Sequence, residues 1–279
     1  MRILGQPSGG TGSRAAGAAG EAPAVAMPEV RWLDTRAIAL SDAELDVLGP
    51  PERARAAAFA FAADRHRYQV AHVALRRALS GAVGIPPGKL DFRRERCPSC
   101  GGRNGRPALA GHGSVHFSLA HSADAVAIVI AAVPVGIDIE RMVRRCTCDL
   151  ADTMHGDDAA RIRPLPEPQR HAAIMRWWVA AEAVLKCTGA GIAHGLADFP
   201  VLGGPAAAGG LAQRTAGCWL LPPAAPPGYA AAIALRAAQP PAPVPDSAGR
   251  PGQATPPVRG ETASPADRGG GRAQAGRVR

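Results

Sequence analysis

Apolar side chains recur at helical spacing in three segments of the chain. Residues 40–84 carry an apolar stripe through their second half, and Gly81 or Gly84 follows it as a stop signal. The segment "DDAARIRPL" (157–165) predicts a short helix. The segment "QRHAAIMRWWVAAEAVLKCTG" (169–189) predicts a long one.

Three further segments have the pattern of β-strands. The segments "VHFSLAHSADAVAIVIA" (115–131) and "CWLLPPAAPPGYAAAIALRA" (218–237) each predict two strands joined by a turn. Between them, "VGIDIE" (135–140) predicts one strand in which isoleucines alternate with acids. Because alternate side chains of a strand project from the same face, we expect the isoleucines in a core and the acids side by side.

These acids are the first chemical feature of the sequence. Asp138 and Glu140 repel each other at such a spacing, and both remain ionised only near a cation. The long predicted helix supplies Glu182 and Lys186, which are four residues apart and share a face. Three carboxylates are candidate ligands of Mg²⁺, with the lysine facing a phosphate. The same residues also fit a solvated acidic strand and an exposed helical salt bridge.

A five-residue pattern relates two parts of the chain at a separation of 107 residues. It reads Gly84-Ile85-x-x-Gly88-x-x-Asp91-Phe92 and then Gly191-Ile192-x-x-Gly195-x-x-Asp198-Phe199. A match of this size in a glycine-rich chain also arises by chance. As a repeat, it predicts an α+β fold with two similar helix-strand-hairpin halves, residues 28–134 and 135–239. A pseudo-twofold axis would relate them, with the active-site cleft between them.

Both ends of the chain have the composition of disordered segments. Residues 1–27 are rich in Gly, Ala and Ser, and residues 240–279 are rich in Pro, Gly and Arg. Of the formal net charge of +9, about +5 lies between these two segments. A moderately basic surface suits an acidic protein partner or a polyphosphate as readily as nucleic acid.

We find neither a secretory signal nor a run of 18 apolar residues, so we expect a cytoplasmic protein without a membrane partner. The six cysteines of this long chain do not predict a disulfide framework. Cys97 and Cys100 form half of a zinc-ribbon signature, for which Cys146 and Cys148, or a histidine, would have to supply the rest. We expect a loop with free thiols.

Four motifs follow one another in order: "GRP" (105–107), "FSLAHS" (117–122), "VGIDIE" (135–140) and "WVAAEAVLK" (178–186). Over about residues 28–238 they resemble the 4′-phosphopantetheinyl transferases of the large, monomeric, surfactin-synthetase-activating type. Such enzymes move the phosphopantetheine arm of coenzyme A to a serine of a carrier protein and release 3′,5′-ADP. The resemblance implies dependence on Mg²⁺ or Mn²⁺, coenzyme A as co-substrate, acidic apo carrier proteins as partners, no nucleic acid partner, and a monomer.

The resemblance also implies roles for individual residues in the chemical step. Asp138, Glu140 and Glu182 match the metal-binding acids of the family, and Lys186 matches a lysine near the pyrophosphate. Asp158 falls where the family has a glutamate proposed to assist deprotonation of the serine, although an acid on an exposed helix would look the same.

Other residues match positions that bind coenzyme A. His121 matches a histidine that contacts the phosphates, although a turn histidine bonded to the backbone fits as well. Arg67 matches an arginine near the 3′-phosphoadenosine, Arg53 is a looser candidate, and Arg106 keeps the charge of a motif lysine.

Two positions depart from the family pattern. Ala181 replaces a lysine before the helix glutamate, and Ala120 replaces a serine expected to bond a phosphate. These changes leave open a weakened enzyme, or a relative that binds coenzyme A or carrier protein without catalysis. We expect Ala181→Lys to raise transfer about tenfold, because a long side chain there would reach the cleft rim. A Mg²⁺-dependent nuclease is a further alternative, since D-x-E, a distant Glu and a basic surface also suit phosphodiester cleavage.

Overall fold

The computed structural model of this protein describes residues 27–142, 153–191, 195, 197–202 and 213–241. The fold is α+β, as predicted. The α-helices in the described residues are α1 (Asp42–Leu45), α2 (Pro50–Ala57), α3 (Ala62–Val83), α4 (Gly156–Ile162) and α5 (Gln169–Thr188). The strands are β1 (Val30–Asp34), β2 (Phe92–Arg94), β3 (Pro107–Leu109), β4 (His116–Ser122), β5 (Ala125–Ala131), β6 (Val135–Arg141), β7 (Gln213–Thr215), β8 (Cys218–Leu221) and β9 (Tyr229–Leu235).

The predicted helical segment 40–84 is divided into α1, α2 and α3. Pro50 begins α2, and the Glu52 carboxylate accepts a hydrogen bond from Gly49 N at 2.7 Å, which caps the helix. Gly84 ends α3 with φ +71°, which confirms one of the two predicted stop signals. Gly189 ends α5 in the same left-handed conformation, with φ +81°.

The strands form antiparallel sheets in three groups. The first sheet has the order β1-β5-β4, and the second has the order β6-β9-β8-β7. A small two-stranded sheet pairs β2 with β3. The hairpins β4–β5 and β8–β9 and the single strand β6 confirm the sequence-based predictions, whereas β1, β2, β3 and β7 were not predicted.

Three apolar clusters hold these layers together. α3 packs on one face of the first sheet, through residues such as Leu79 and Ile128. α5 packs on one face of the second sheet, through residues such as Val184 and Ala232. The remaining faces of both sheets meet in a third cluster that contains Ile137 and Ile139. The isoleucines of β6 are therefore in the core, and its acids project from the other face, toward α5.

The pseudo-twofold relation between residues 28–134 and 135–239 stays a prediction. The matched glycines do not occupy equivalent positions, because Gly84 caps α3 whereas Gly191 lies two residues beyond Gly189, the cap of α5. Ile192 of the second copy lies outside the described residues, as do Cys146, Cys148 and most of both terminal segments. No helix in the described part of the chain is both long and apolar enough to cross a membrane.

Candidate active site

The contact between β6 and α5 depends on a glycine. A Cβ atom on Gly136 would lie 2.0 Å from the Ala183 carbonyl oxygen and 2.5 Å from Cys187 N. Only a residue without a side chain permits such an approach of strand and helix. This close contact brings the acids of β6 next to the last two turns of α5.

Lys186 forms an ion pair with Asp138 across this contact. Its Nζ lies 2.6 Å from Asp138 Oδ1 and also donates to the Ile137 carbonyl oxygen at 3.2 Å. The i,i+4 spacing suggested Glu182 as the partner of Lys186, but the structure pairs the lysine with the strand instead. The reading of Glu182 and Lys186 as an exposed helical salt bridge is therefore wrong, and Glu182 is 8% exposed.

Two carboxylate oxygens at this place are buried without a hydrogen-bond partner. They are Asp138 Oδ2 and Glu182 Oε1. Burial raises the pKa of Asp138 to about 6 against the opposing effect of Lys186, and the charges of Glu140 and Glu182 raise it further. Burial also raises the pKa of Glu182, with Lys186 opposing and Glu140 adding to the rise. The three acids therefore share one electrostatic environment, in which the positive charge of Lys186 does not offset burial and mutual repulsion.

The acids are not arranged as a finished metal cage. Among the described residues, no group of three or more Asp, Glu, His or Cys side chains has the geometry to hold a metal ion. One oxygen of Asp138 is occupied by Lys186, and one oxygen of Glu140 is occupied by Ser122. The unpaired oxygens and the chemistry of the donors fit a hard divalent cation, provided that the side chains turn toward a common centre.

Ser122 fixes Glu140 from the neighbouring strand β4. Its hydroxyl donates to Glu140 Oε2 at 2.5 Å and accepts from Arg141 N at 3.1 Å. Ser118, four residues earlier, accepts from Ile137 N at 3.1 Å. Both bonds to β6 backbone N–H groups join residues 19 apart, so β4 and β6 run in the same direction where they meet.

The histidine of the "FSLAHS" motif, His121, is subject to positive charges from several residues. The pKa of His121 is lowered, first by loss of hydration and then by the charge of Arg67, with smaller effects of Lys186 and His72 in the same direction. His121 itself is exposed. Arg67 itself pairs with Asp64 at 2.9 Å. Arg67 and Lys186 thus both lower the pKa of His121, and the coenzyme A contacts expected of these three residues stay predictions.

A cavity of about 840 Å³ lies between α3 and α5, and its lining includes Glu182 and Lys186 of the site. Its volume is within the range of small-ligand pockets. The charged residues of its lining are predominantly basic, with Arg76, Arg93, Arg94, Arg106 and Lys186 against Glu52, Asp91 and Glu182. Such a cavity favours an anionic ligand.

Arg106 joins this cavity to the end of α5. Its Nε lies 2.7 Å from Glu95 Oε2, and its Nη1 donates to the Cys187 carbonyl oxygen at 2.7 Å. The arginine of the "GRP" motif thus lies in the cavity lining with Lys186, and its expected role toward coenzyme A stays a prediction.

Asp158 and Arg53 have other partners. Asp158 is fully buried, and its carboxylate accepts hydrogen bonds from Trp177 Nε1 at 3.0 Å, Val201 N at 2.7 Å and Leu202 N at 2.8 Å. The alternative of an acid on an exposed helix is therefore wrong, and the geometry favours a structural role over proton transfer. Arg53 is exposed and donates to the Leu48 carbonyl oxygen at the entry of its own helix.

The structure corrects the expected positions of both alanines. Ala181 is fully buried in the apolar cluster between α5 and the second sheet, not near the cleft rim. Ala120 is also buried, on the face of β4 that carries Ser118 and Ser122. By the same register, a hydroxyl at position 120 would face the backbone of β6 near Ile139 rather than a phosphate.

Several residues of the site were not found from the sequence. Ser122 and Gly136 lie within the quoted motifs, but their contacts cross between elements that spacing alone does not join. The alternation Ser118-x-Ala120-x-Ser122 was the available signal for a polar strand face. For Arg93 and Arg94, which line the cavity, the positive charge was the only signal in the sequence.

Comparison with known proteins relates the chain to one family of transferases. Residues 134–234 match the sequence profile of the 4′-phosphopantetheinyl transferase superfamily. The chain is 30% identical over 149 residues to the 4′-phosphopantetheinyl transferase psf-1 of Bacillus pumilus, covering 53% of this chain and 60% of that protein. It is 34% identical over 153 residues to the 4′-phosphopantetheinyl transferase HetI of Nostoc sp., covering 52% and 61%.

A third relative is a 4′-phosphopantetheinyl transferase of Bacillus subtilis, 24% identical over 139 residues, covering 50% of this chain and 58% of that protein. The chain therefore spans about 60% of the length of these curated relatives. The profile match contains β6 and α5, and with them the acids and the lysine of the site.

Proposed function

We propose that the chain belongs to the 4′-phosphopantetheinyl transferase superfamily, which its similarity to that profile and to curated transferases supports, and that it transfers the 4′-phosphopantetheine arm of coenzyme A to a serine of an apo carrier protein. In this reaction the serine oxygen attacks the β-phosphorus of coenzyme A, and the bond to the bridging oxygen breaks. The products are the phosphopantetheinylated carrier protein and 3′,5′-ADP. The observation that carries this proposal is the pair of unpaired buried oxygens, Asp138 Oδ2 and Glu182 Oε1, beside Lys186 at the edge of a basic cavity.

Asp138, Glu140 and Glu182 would hold Mg²⁺ or Mn²⁺ through their carboxylate oxygens. When bound, such an ion neutralises part of the charge on the pyrophosphate. Ser122 holds Glu140 from β4, and Gly136 lets the strand approach the helix that carries Glu182. The carboxylates thus come from two rigid elements, β6 and α5, which favours a defined position for the substrate.

The cations of the site would bind the phosphates of coenzyme A. Asp138 and the Ile137 carbonyl already hold Lys186 Nζ at the cavity edge, which fixes a positive charge there. His121, whose pKa is lowered by loss of hydration and by the charge of Arg67, would donate a hydrogen bond to a phosphate. Arg67 and Arg106 add charge on either side. Asp158 has no step in this scheme, because its carboxylate is committed to internal hydrogen bonds.

The proposal also includes the protein partner, the oligomeric state and the internal symmetry of this protein. An acidic apo carrier protein suits the basic charge of the chain, which is +9 in total. We propose that the protein acts as a monomer and that its two halves, residues 28–134 and 135–239, are related by a pseudo-twofold axis. The cavity between α3 and α5 would then lie between the halves.

The test is incubation of an apo carrier protein with this protein, coenzyme A and Mg²⁺, followed by intact-mass spectrometry. The expected result is a mass increase of one phosphopantetheine group, absent without Mg²⁺ and absent when the acceptor serine of the carrier is replaced by alanine. A carrier that stays unmodified here, but is modified by another transferase, would overturn the proposal. In that case coenzyme A binding alone would indicate a non-catalytic relative, and degradation of added DNA or RNA would indicate a nuclease.

A further inference from the structure

The connection between β2 and β3, residues 95–106, carries two cysteines that the proposed reaction does not use. We call it the cysteine loop. Its base is closed by hydrogen bonds from Glu95 N to the Arg106 carbonyl oxygen and from Gly105 N to the Glu95 carbonyl oxygen, both 3.0 Å. The loop is therefore anchored to the β2–β3 hairpin.

The tip of the loop folds around Cys97. Cys97 N donates to the Gly102 carbonyl oxygen at 2.7 Å, and Gly101 N donates to the Cys97 carbonyl oxygen at 2.8 Å. Gly101 adopts φ +71°, which an L side chain rarely adopts, so the chain turns back directly after Cys100. Gly102 also makes room for the second thiol, because a Cβ there would lie 3.3 Å from Cys100 Sγ.

The two thiols differ in access. Cys97 is 3% exposed, whereas Cys100 is exposed. The nearby backbone N–H groups of Cys100 and Ser99 and the Cys100 thiol lower the pKa of Cys97, against the opposing effect of burial. The Cys100 sulfur is thus exposed to solvent, and the buried Cys97 sulfur lies close to it as the second nucleophile.

We propose that Cys97 and Cys100 are a redox-active dithiol that closes to an internal disulfide by exchange with a small-molecule disulfide. The exposed Cys100 thiolate attacks glutathione disulfide, forms a mixed disulfide and releases one glutathione thiolate. The Cys97 thiolate then attacks Cys100 Sγ and expels the second glutathione thiolate. Two electrons and two protons leave the dithiol in total, and the same two electrons reduce glutathione disulfide to two glutathiones.

A zinc site is a less well supported interpretation of the cysteine loop. Structural zinc requires four ligands, and in the part of the chain that the structure describes, no third or fourth Cys, His, Asp or Glu completes such a group. Two cysteines with unequal access form a complete dithiol, however, and need no further residue.

The dithiol lies against the helix that carries the catalytic residues proposed above. The Cys97 thiol donates to the Ala190 carbonyl oxygen at 3.6 Å, one residue beyond the cap of α5. A disulfide removes the hydrogen of this bond. Oxidation would therefore release one of the hydrogen bonds by which the cysteine loop holds the end of α5, while the bond from Arg106 to the Cys187 carbonyl oxygen would remain.

Trypsin gives a direct test, because cleavage after Arg96 and Arg103 releases the peptide "CPSCGGR", which contains these two cysteines and no others. The full-length protein is incubated with excess glutathione disulfide without oxygen, free thiols are alkylated, and the digest is analysed by mass spectrometry. We expect an unalkylated peptide two hydrogen masses below the dithiol form, which dithiothreitol returns to the dithiol. In Cys97→Ser we expect a persistent glutathione adduct on Cys100.

Three results would overturn the proposal. The wild-type peptide could remain fully alkylated as a dithiol, or it could retain a stable glutathione adduct on Cys100. The purified protein could also contain one equivalent of zinc, measured by elemental analysis, that Cys100→Ser removes. None of these results depends on transferase activity, so the dithiol and the proposed function are tested separately.

Discussion

Among single residues, Ser122 shows most clearly how the acid site is held in position. It is not itself a metal ligand, yet its hydroxyl bonds Glu140 at 2.5 Å and the Arg141 backbone at 3.1 Å. A hydroxyl in this position fixes the rotamer of the carboxylate that it bonds, and residues behind metal ligands commonly set metal affinity in this way.

We predict that Ser122→Ala raises the Mg²⁺ concentration for half-maximal transfer by about tenfold. Loss of a hydrogen-bonding group that orients a metal ligand commonly lowers metal affinity by about 10- to 100-fold. Titration of Mn²⁺ followed by electron paramagnetic resonance measures the same change without turnover. Ser122→Thr retains the hydroxyl and should stay close to wild type. Equal metal affinity in all three proteins would show that Ser122 does not position Glu140.

Asp138 gives a prediction for pH. Burial raises its pKa to about 6 in the folded protein, above the ordinary value of 3.8. The folded chain therefore binds this proton more tightly than the unfolded chain does. The stability that results is fully present below about pH 4 and is lost as the pH rises through about 6.

Asp138→Asn removes this titration. Without divalent cations, we expect the free energy of unfolding of wild type to fall relative to that of Asp138→Asn between pH 4 and pH 6, and the difference to level off above pH 7. Urea unfolding at a series of pH values measures it. Parallel curves for the two proteins would mean that Asp138 titrates normally and that the site is more hydrated than the structure shows.

At the scale of elements, α5 shows what the sequence can and cannot predict. The periodicity of apolar residues predicted the existence and length of α5 and the presence of Glu182 and Lys186 on one of its faces. Alternation predicted β6 with its buried isoleucines. Periodicity describes one element at a time, however. It could not predict that Lys186 pairs with β6 rather than with Glu182, because this depends on how closely Gly136 lets strand and helix approach. For the same reason it misplaced Ala181.

The structure reverses the expectation for Ala181→Lys. Ala181 is 0% exposed. It is buried among apolar residues of α5 and the second sheet. A lysine there would bury an ammonium group without a partner, so we predict a loss of stability of at least about 2 kcal/mol and no gain in transfer. Ala172→Lys, at a half-buried position of the same helix, is the matched control. A stable Ala181→Lys protein with faster transfer would restore the original expectation.

At the scale of the whole molecule, composition predicts a folded part from about residue 28 to about residue 239, and these boundaries stay a prediction. The described residues all fall within one compact unit, residues 1–243. The first segment and the Pro/Gly/Arg-rich last segment offer few large apolar side chains to bury.

We therefore predict that a truncated protein of residues 27–240 keeps the unfolding midpoint of the full chain within about 2 °C and keeps its transfer rate. Thermal unfolding and the carrier assay measure both quantities. A truncated protein that fails to fold would show that the terminal segments contribute to the core.

The central claim is that the acids of β6 and α5, together with Lys186, perform Mg²⁺-dependent transfer. The most direct measurement is the rate of carrier-protein mass increase for wild type, Glu182→Gln and Glu167→Gln at several Mg²⁺ concentrations. Glu167 pairs with Arg170 on the surface and is the matched control for loss of one carboxylate. We predict that Glu167→Gln equals wild type, whereas Glu182→Gln, still folded by circular dichroism, loses at least about 100-fold of the rate at low Mg²⁺. Wild-type rates in a folded Glu182→Gln protein at low Mg²⁺ would contradict the claim.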